Sequence, residues 1–181
     1  MARVPISAEA MADSPTLDAM LTASLTAAFA LKLDALVMAT VLADANIPKS
    51  GTNMDPADWS KCLEAVGAAM AANQPVPMSM VTNTADYIAR AGQLASTAGS
   101  WLGKPPALSG MVEFPTSVIT EGTALYGGFA EAVIIGMRQD LRVEVLRFAD
   151  AGRYQHEVIA HMRADGYVAQ PGRLFKQLAT A

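Results

Sequence analysis

A long apolar stretch without glycine or proline constrains the fold more than any other feature of this sequence. Between Pro15 and Pro48 the sequence contains neither proline nor glycine. Apolar residues recur there at the spacing of an α-helix, beginning with Leu17, Leu21 and Leu25. We predict one helix from about residue 15 to about residue 43, roughly 40 Å long. Such a helix spans a compact domain of this size, and the three leucines form its predicted core face.

The rest of the chain changes from a helical to an alternating pattern. A start signal at Asp55-Pro56 precedes a predicted amphipathic helix that ends before Asn73. A short strand near residues 76–80 and a short helix capped by Asn83 follow. Residues 92–110 are predicted to form a loop, residues after Pro171 a short tail, and strands are predicted at 111–114, 122–126, 132–137, 141–148 and 158–168. The pattern predicts an α+β fold.

The composition indicates a chain whose surface is covered by other chains. Hydrophobic residues make up 52% of the sequence and charged residues 17%, which is apolar for a soluble protein. An apolar surface of this kind favours self-association. The formal net charge of -4 argues against electrostatic binding of nucleic acid, because such binding needs clustered lysine and arginine.

Compartment and membrane signals are weak. The single cysteine, Cys62, excludes an internal disulfide and fits a reducing cytoplasm. The most apolar run, residues 27–41, includes Lys32 and Asp34 and is short for a membrane crossing. The first residues contain acidic side chains and prolines where a signal peptide would be apolar. We expect no membrane partner.

Residues that often carry chemistry are few and scattered. His156 and His161 are five positions apart, on opposite faces of a predicted strand, which is a poor arrangement for metal ligands. Cys62 lies on the apolar face of the second helix, where cysteine is usually a small buried hydrophobe. The methionines of the middle region suggest a binding surface or core filling, and core filling is favoured: Met70, Met78 and Met80. We predict no catalytic residue, cofactor or metal.

Paired glycines stand at Gly127 and Gly128. Such a pair can hold a phosphate when a helix and a basic residue follow it, and the pattern here predicts neither. A tight turn is therefore the favoured interpretation.

The order of segments resembles the major capsid proteins of tailed phages of the Hong Kong 97 type. The succession is SPTLDAMLTASLTAAFALKLDALVMATVL, VPMSMVTNTADYIARAGQL, SGMVEFPTSVITEGTALYGGFAEAVIIGMRQDLRVEVLRFAD and HMRADGYVAQPGRLFKQL. The specific part runs from Gly110 through Gly127-Gly128-Phe129 to the strand Arg142-Val143-Glu144-Val145. Each piece alone is weak, and their order and spacing carry the resemblance over about residues 5–178.

The resemblance implies a long spine helix, a β arm and a central axial sheet flanked by helices. Residues 1–44 and 134–167 would form a peripheral domain, and residues 45–133 with the return at 168–181 an axial domain. Gly127 and Gly128 would form the structural turn near the crossing from axial sheet to peripheral arm. The function implied is a major capsid protein, not an enzyme, that assembles as pentamers and hexamers into an icosahedral shell around phage or prophage DNA.

Some family features are missing at the sequence level. Members normally carry an N-terminal arm and an extended loop before the spine helix, so we expect a short form, a fragment or a domain completed by another chain. Some relatives cross-link their subunits, and the corresponding positions here are Tyr154 and His161. These residues do not retain that chemistry.

Partners and alternatives follow from the same resemblance. The expected partners are copies of the chain itself and possibly scaffold, portal or decoration proteins, with DNA enclosed but not specifically bound, in a virion assembled in the host cytoplasm. One alternative is an encapsulin-type compartment that encloses a cargo protein. Another is a small-molecule-binding α/β domain in which the 92–110 loop around Trp101 acts as a lid.

Overall fold

The structure is a computed structural model that describes residues 1–51, 53–95 and 99–179, with backbone alone at 147–151. Helices α1 to α5 cover Ala8–Asp13, Leu17–Ala43, Trp59–Ala71, Thr84–Ala91 and Phe129–Ala132. Strands β1 to β7 cover Ala2–Ser7, Ser79–Asn83, Val112–Thr116, Thr123–Gly127, Val133–Asp150, Gln155–Val168 and Leu174–Leu178. Helices and strands are mixed along the chain, so the predicted α+β class is confirmed.

The chain divides into two compact units. Unit 1 contains Met1–Val37 and Ile135–Gly166, and unit 2 contains Met38–Ile134 and Tyr167–Ala181. Both α2 and β5 contribute residues to both units.

Unit 1 is built on the sheet β1-β6-β5. Strand β1 runs antiparallel to β6, with Val4 opposite Val158. Leu25 of α2 packs with Val158 and Ala160 of β6 in a buried cluster. Half-buried side chains surround this cluster: Ala2, Val4, Ile6, Leu21, Phe29, Leu141, Val143 and Val145. The alternation of β5 and β6 thus supplies one apolar face against which α2 lies.

Unit 2 is built on the sheet β3-β2-β4-β7. Strand β2 is parallel to β3 and antiparallel to β4, which is antiparallel to β7. Helix α3 buries one face against this sheet, and the shared core is Trp59, Cys62, Ala65, Val66, Ala69, Met80, Leu108, Met111, Ala124, Tyr126 and Phe175. Asp58 caps α3 by accepting from the Ser60 N–H at 2.9 Å.

Most predicted elements are confirmed with shifted ends. The long helix begins at Leu17 instead of residue 15, and Asn83 caps α4 through its bond from the Ala85 N–H. The strand expected at residues 158–168 is β6. Residues 96–98 of the predicted loop at 92–110 lie outside the described residues.

Five predictions need correction. The strands predicted at 132–137 and 141–148 are one strand, β5, because no turn residue between them ends the extended backbone. A four-residue helix, α5, follows the paired glycines where none was expected. The predicted tail is β7, a buried strand of the unit 2 sheet. The predicted strand near 76–80 begins only at Ser79. Met80 fills the core as predicted, but Met70 and Met78 are exposed.

Candidate assembly surfaces

Helix α2 leaves most of its apolar surface uncovered. Its buried residues are Leu25, Val37 and Val41, out of 27 in the helix. Met20 is 64% exposed and Leu31 is 66% exposed. Exposed large side chains on a helix this apolar indicate a surface that another molecule covers.

The same helix has the length and hydropathy of a membrane-spanning helix. Its most apolar window has a mean hydropathy of 1.8, and 11% of that window is buried. The run of residues 27–41, on which the sequence prediction rests, is short for a membrane crossing. The helix is longer than that run, because it begins ten residues earlier, at Leu17. Asp18, Lys32 and Asp34 lie along it. A helix covered by protein passes the same test of length and composition.

Unit 2 has an exposed apolar edge at strand β3. Val112 and Phe114 are both exposed, and Glu113 between them is turned the other way. Glu113 accepts from Arg90 Nη2 at 2.8 Å and lies 3.0 Å from Lys104 Nζ. The two ion pairs hold the orientation of the strand, so its apolar neighbours are directed outward.

Arg90 is the centre of a buried polar network. Its side chain is fully buried, donates to the Pro56 carbonyl and lies 4.9 Å from the centre of the Trp59 ring. A buried guanidinium is tolerated only when ion pairs and hydrogen bonds replace its hydration. The network joins α3, α4 and β3 of unit 2.

Lys176 of β7 caps the carbonyl end of α2. Its Nζ donates to the Leu42 carbonyl at 2.7 Å and to the Asp44 carbonyl at 2.6 Å. A cation at this end of a helix interacts favourably with the helix dipole. Burial, with a smaller contribution from nearby Lys49, lowers the pKa of Lys176 below its ordinary value.

Other buried titratable groups in unit 2 serve the fold. The Asp86 carboxylate accepts from the Gly122 N–H at 2.9 Å, and burial raises its pKa. Burial also raises the pKa of the Cys62 thiol and raises that of the Tyr126 hydroxyl further. Cys62 is buried in the core, as its place on the α3 face predicts. An un-ionised thiol is a poor nucleophile.

The predicted turn at Gly127 and Gly128 lies in unit 2. Gly127 ends β4 with a φ of 145°, and a Cβ there would lie 2.1 Å from the Arg173 carbonyl oxygen. Ser79 Oγ donates to its carbonyl at 2.6 Å. Gly128 precedes α5, and a Cβ there would meet no atom within 4 Å. Only Gly127 is therefore required to be glycine, and a crossing role for the pair stays a prediction.

The remaining predicted residues lie in unit 1. Leu25 is buried, Leu21 packs against its cluster and Leu17 is half-buried. Tyr154 is exposed with a φ of 54° at the turn before β6. His161 is half-buried on β6, with its Nε2 2.9 Å from Gln139 Nε2. Whether Tyr154 and His161 replace family cross-link positions stays a prediction.

Ligand sites are poorly supported. Among the residues that the structure describes, no group of three or more His, Cys, Asp and Glu side chains is placed to hold a metal. A hollow of about 530 Å³ in unit 2 is open to solvent and lined by Thr40, Ala43, Asp44, Asn46, Tyr167, Val168, Ala169 and Pro171. It holds neither Trp101 nor an arrangement of acid, base and nucleophile.

Sequence reasoning missed the buried charges. Arg90 and Lys176 have no sequence signal of burial, because the groups they contact, such as Glu113 and the Leu42 carbonyl, are 23 and 134 positions away. Strand β1 and helix α1 were also missed, although Ser7 caps α1 by accepting from the Ala10 N–H.

The fold is similar to solved phage capsids. No protein-family profile and no curated protein sequence matches the chain. Among solved structures, the capsid of an empty GTA particle is 18% identical with a TM-score of 0.76, over 99% of this chain and 72% of that one. The capsid of Myoviridae phage XM1 is 13% identical with a TM-score of 0.72, over 98% and 71%.

A virus-like particle from Pyrococcus furiosus is more distant. It is 16% identical with a TM-score of 0.61, over 82% of this chain and 63% of that one. At identities this low, the similarity shows a shared fold. The GTA and phage capsids share that fold over nearly the full length of this chain. The chain therefore has the fold of the tailed-phage major capsid proteins.

Proposed function

We propose that the chain is a major capsid protein that assembles with copies of itself, as pentamers and hexamers, into an icosahedral shell enclosing phage or prophage DNA. The observation that carries this proposal is the similarity to phage and GTA capsids over nearly the whole chain. The role is structural and not enzymatic. Fold similarity alone does not fix function, so the surfaces must support it independently.

The exposed apolar surface provides that support. Met20 and Leu31 on α2 and Val112 and Phe114 on β3 are exposed in the single chain. Symmetric assembly covers such surfaces without further partners. In a shell every subunit has neighbours on several sides, so exposed apolar side chains in both units are expected.

We propose that unit 1 is the peripheral domain of the capsid subunit and unit 2 the axial domain. Residues 1–37 and 135–166 of unit 1 contain the long helix and the β5–β6 pair, as a peripheral domain with a β arm would. Unit 2 contains the sheet flanked by helices. Gly127 and Gly128 precede the strand that enters unit 1.

The net charge of the chain supports a shell that does not bind its enclosed DNA tightly. A net charge of -4 leaves no excess of cations to displace phosphate counterions. DNA would therefore be enclosed without specific binding. Scaffold, portal and decoration proteins are further proposed partners.

An encapsulin-type compartment is the alternative with the same fold. The virus-like particle is matched over less of the chain and with a lower TM-score than the phage particles, so the phage interpretation is preferred. The contents of purified particles distinguish the two alternatives. Enclosed nucleic acid gives a high ratio of ultraviolet absorbance at the nucleobase maximum to absorbance at the maximum of protein aromatic side chains. A protein cargo gives a second band on a denaturing gel.

Assembly is tested by light scattering of the purified chain over a concentration series. We expect particles far heavier than one chain, and fewer of them for the double variant Met20→Ser, Leu31→Ser. The matched control is Thr22→Ser, a polar change on the same exposed helix. Equal assembly of the double variant and the control would contradict a role for the α2 surface, and a wild type that stays one chain throughout would contradict the shell.

A further inference from the structure

The free edges of the two sheets differ in how they are protected. An unpaired strand edge is a template for another strand, and proline is one common protection. The outer strand β1 of unit 1 contains Pro5, and the outer strand β3 of unit 2 contains Pro115. The edge of β7 is covered by the loop before α3, since the Lys176 N–H donates to the Pro48 carbonyl at 2.9 Å and the Ser50 N–H to the Lys176 carbonyl at 2.7 Å.

Strand β5 has none of these protections in the part of unit 1 that the structure describes. It is the outer strand of the order β1-β6-β5, it contains 18 residues, and none of them is proline. Its side chains at 139, 141, 143 and 145 are half-buried, and those at 138, 140, 142, 144 and 146 are exposed. A long unprotected edge with one apolar and one polar face is suited to extension of the sheet.

The exposed face of β5 has alternating charge. Its residues are Arg138, Asp140, Arg142 and Glu144 at every second position. Arg142 Nη1 lies 3.7 Å from Glu144 Oε1, so these neighbours share a face of the strand. The pattern is positive, negative, positive, negative.

Such a pattern is complementary to itself over all four residues in one antiparallel register. If two copies pair with Leu141 opposite Leu141, Asp140 lies opposite Arg142 and Arg138 opposite Glu144, and each pair occurs twice about the two-fold axis. Shifting the register by two residues in either direction places like charges opposite each other. Opposite charges across a strand pair stabilise it and like charges destabilise it.

We propose that β5 pairs antiparallel with β5 of a second copy of this chain, centred on Leu141, joining two three-stranded sheets into one. The contact is isologous, since the same residues lie on both sides of a two-fold axis. The half-buried row of Leu141, Val143 and Val145 continues across the junction on the face that α2 covers. This contact deepens the proposed shell function, on which it rests, by defining one contact between subunits.

Disulfide trapping of the full chain tests the register. Leu141→Cys is expected to form a homodimeric disulfide under mild oxidation, because opposed residues in antiparallel strands have Cα atoms about 4.5–5.5 Å apart. Val145→Cys is the matched control: in this register its two copies are about 27 Å apart and do not cross-link. A mixture of Met137→Cys and Val145→Cys chains is expected to yield the mixed dimer. Wild type, whose only cysteine is the buried Cys62, sets the background.

A charge exchange tests the chemistry. Arg142→Asp places two like pairs across the axis, and we expect the yield of Met137→Cys and Val145→Cys mixed disulfide to fall about tenfold. Adding Asp140→Arg exchanges the two charges and is expected to restore most of the yield. Equal yields in all three backgrounds would overturn the proposed contact.

Electron microscopy of the same samples separates this contact from the proposed function. Rings or shells in which Leu141→Cys fails to cross-link overturn the β5 pairing and leave the shell function intact. Cross-linked dimers without rings or shells overturn the shell and leave the pairing intact. Self-linking of Val145→Cys as readily as Leu141→Cys overturns the register.

Discussion

Unit 2 closes its own core, and unit 1 does not. In unit 2 the sheet strands and α3 enclose Tyr126, Met80 and Cys62 completely. In unit 1 the buried cluster is Leu25, Val158 and Ala160, and its apolar neighbours stay half-buried. Unit 2 therefore has the packing of a self-sufficient domain, while unit 1 has apolar surface that further burial would stabilise. The difference indicates that unit 1 gains more than unit 2 from contact with other subunits.

The largest expected change in stability comes from removing the Arg90 side chain from the core of unit 2. Arg90→Ala removes one of the two ion pairs of Glu113, the bond to the Pro56 carbonyl and the contact with Trp59. We expect a loss of about 3–5 kcal/mol in the free energy of unfolding, measured by urea denaturation. The control in unit 1 is Arg3→Ala, whose exposed ion pair with Glu157 spans 3.6 Å and is expected to contribute less than about 1 kcal/mol. Similar losses in both variants would contradict a closed core in unit 2.

Leu25→Ala tests the small core of unit 1. Removing this buried side chain is expected to cost about 2–4 kcal/mol, measured by far-ultraviolet circular dichroism in urea. Met20→Ala changes an exposed side chain on the same helix and is expected to change stability by less than about 0.5 kcal/mol. A Met20→Ala loss as large as that of Leu25→Ala in dilute single chains would show that the exposed face is already covered.

Gly127→Ala tests the close approach at the end of β4. The added Cβ collides with the Arg173 carbonyl and the positive φ disfavours any side chain, so we expect a loss of about 1–3 kcal/mol. Gly128→Ala meets no atom within 4 Å and has an ordinary φ, so thermal unfolding of the two variants isolates the collision. Equal melting temperatures would contradict the backbone geometry assigned to Gly127.

The smallest expected effect is the pH dependence contributed by Lys176. Because burial lowers its pKa in the folded chain below the ordinary 10.5, the folded state binds fewer protons than the unfolded state between the two values. The free energy of unfolding should therefore rise as pH increases through that alkaline window. Lys176→Met lacks this contribution, and urea titrations at several alkaline pH values compare the two. A wild-type stability that falls relative to the variant would contradict the assigned direction.

Local patterns in the sequence predicted the elements of unit 2 better than its core. The Asn83 cap and the α3 face follow from neighbouring residues, so they were visible without coordinates. The burial of Arg90 and Lys176 depends on partners far along the chain, such as Glu113 and the Leu42 carbonyl. Met78 was misassigned because an apolar residue does not specify whether its own chain or another covers it.

In unit 1 the alternating rows of β5 and β6 predicted strands, but not their length. Two strands were predicted, separated between residues 137 and 141, yet the extended backbone of β5 continues through that gap. Leu17, Leu21 and Leu25 follow helical spacing, but of the three only Leu25 is buried in the structure. The surfaces proposed for assembly were predicted only as an excess of apolar composition, because exposure is a property of the fold.

Electron microscopy of the purified chain, concentrated and at several salt levels, tests the central claim most directly. Assembly through the uncovered surfaces predicts rings of five or six lobes or closed shells. Featureless particles of single-chain size at every concentration and salt level would contradict it.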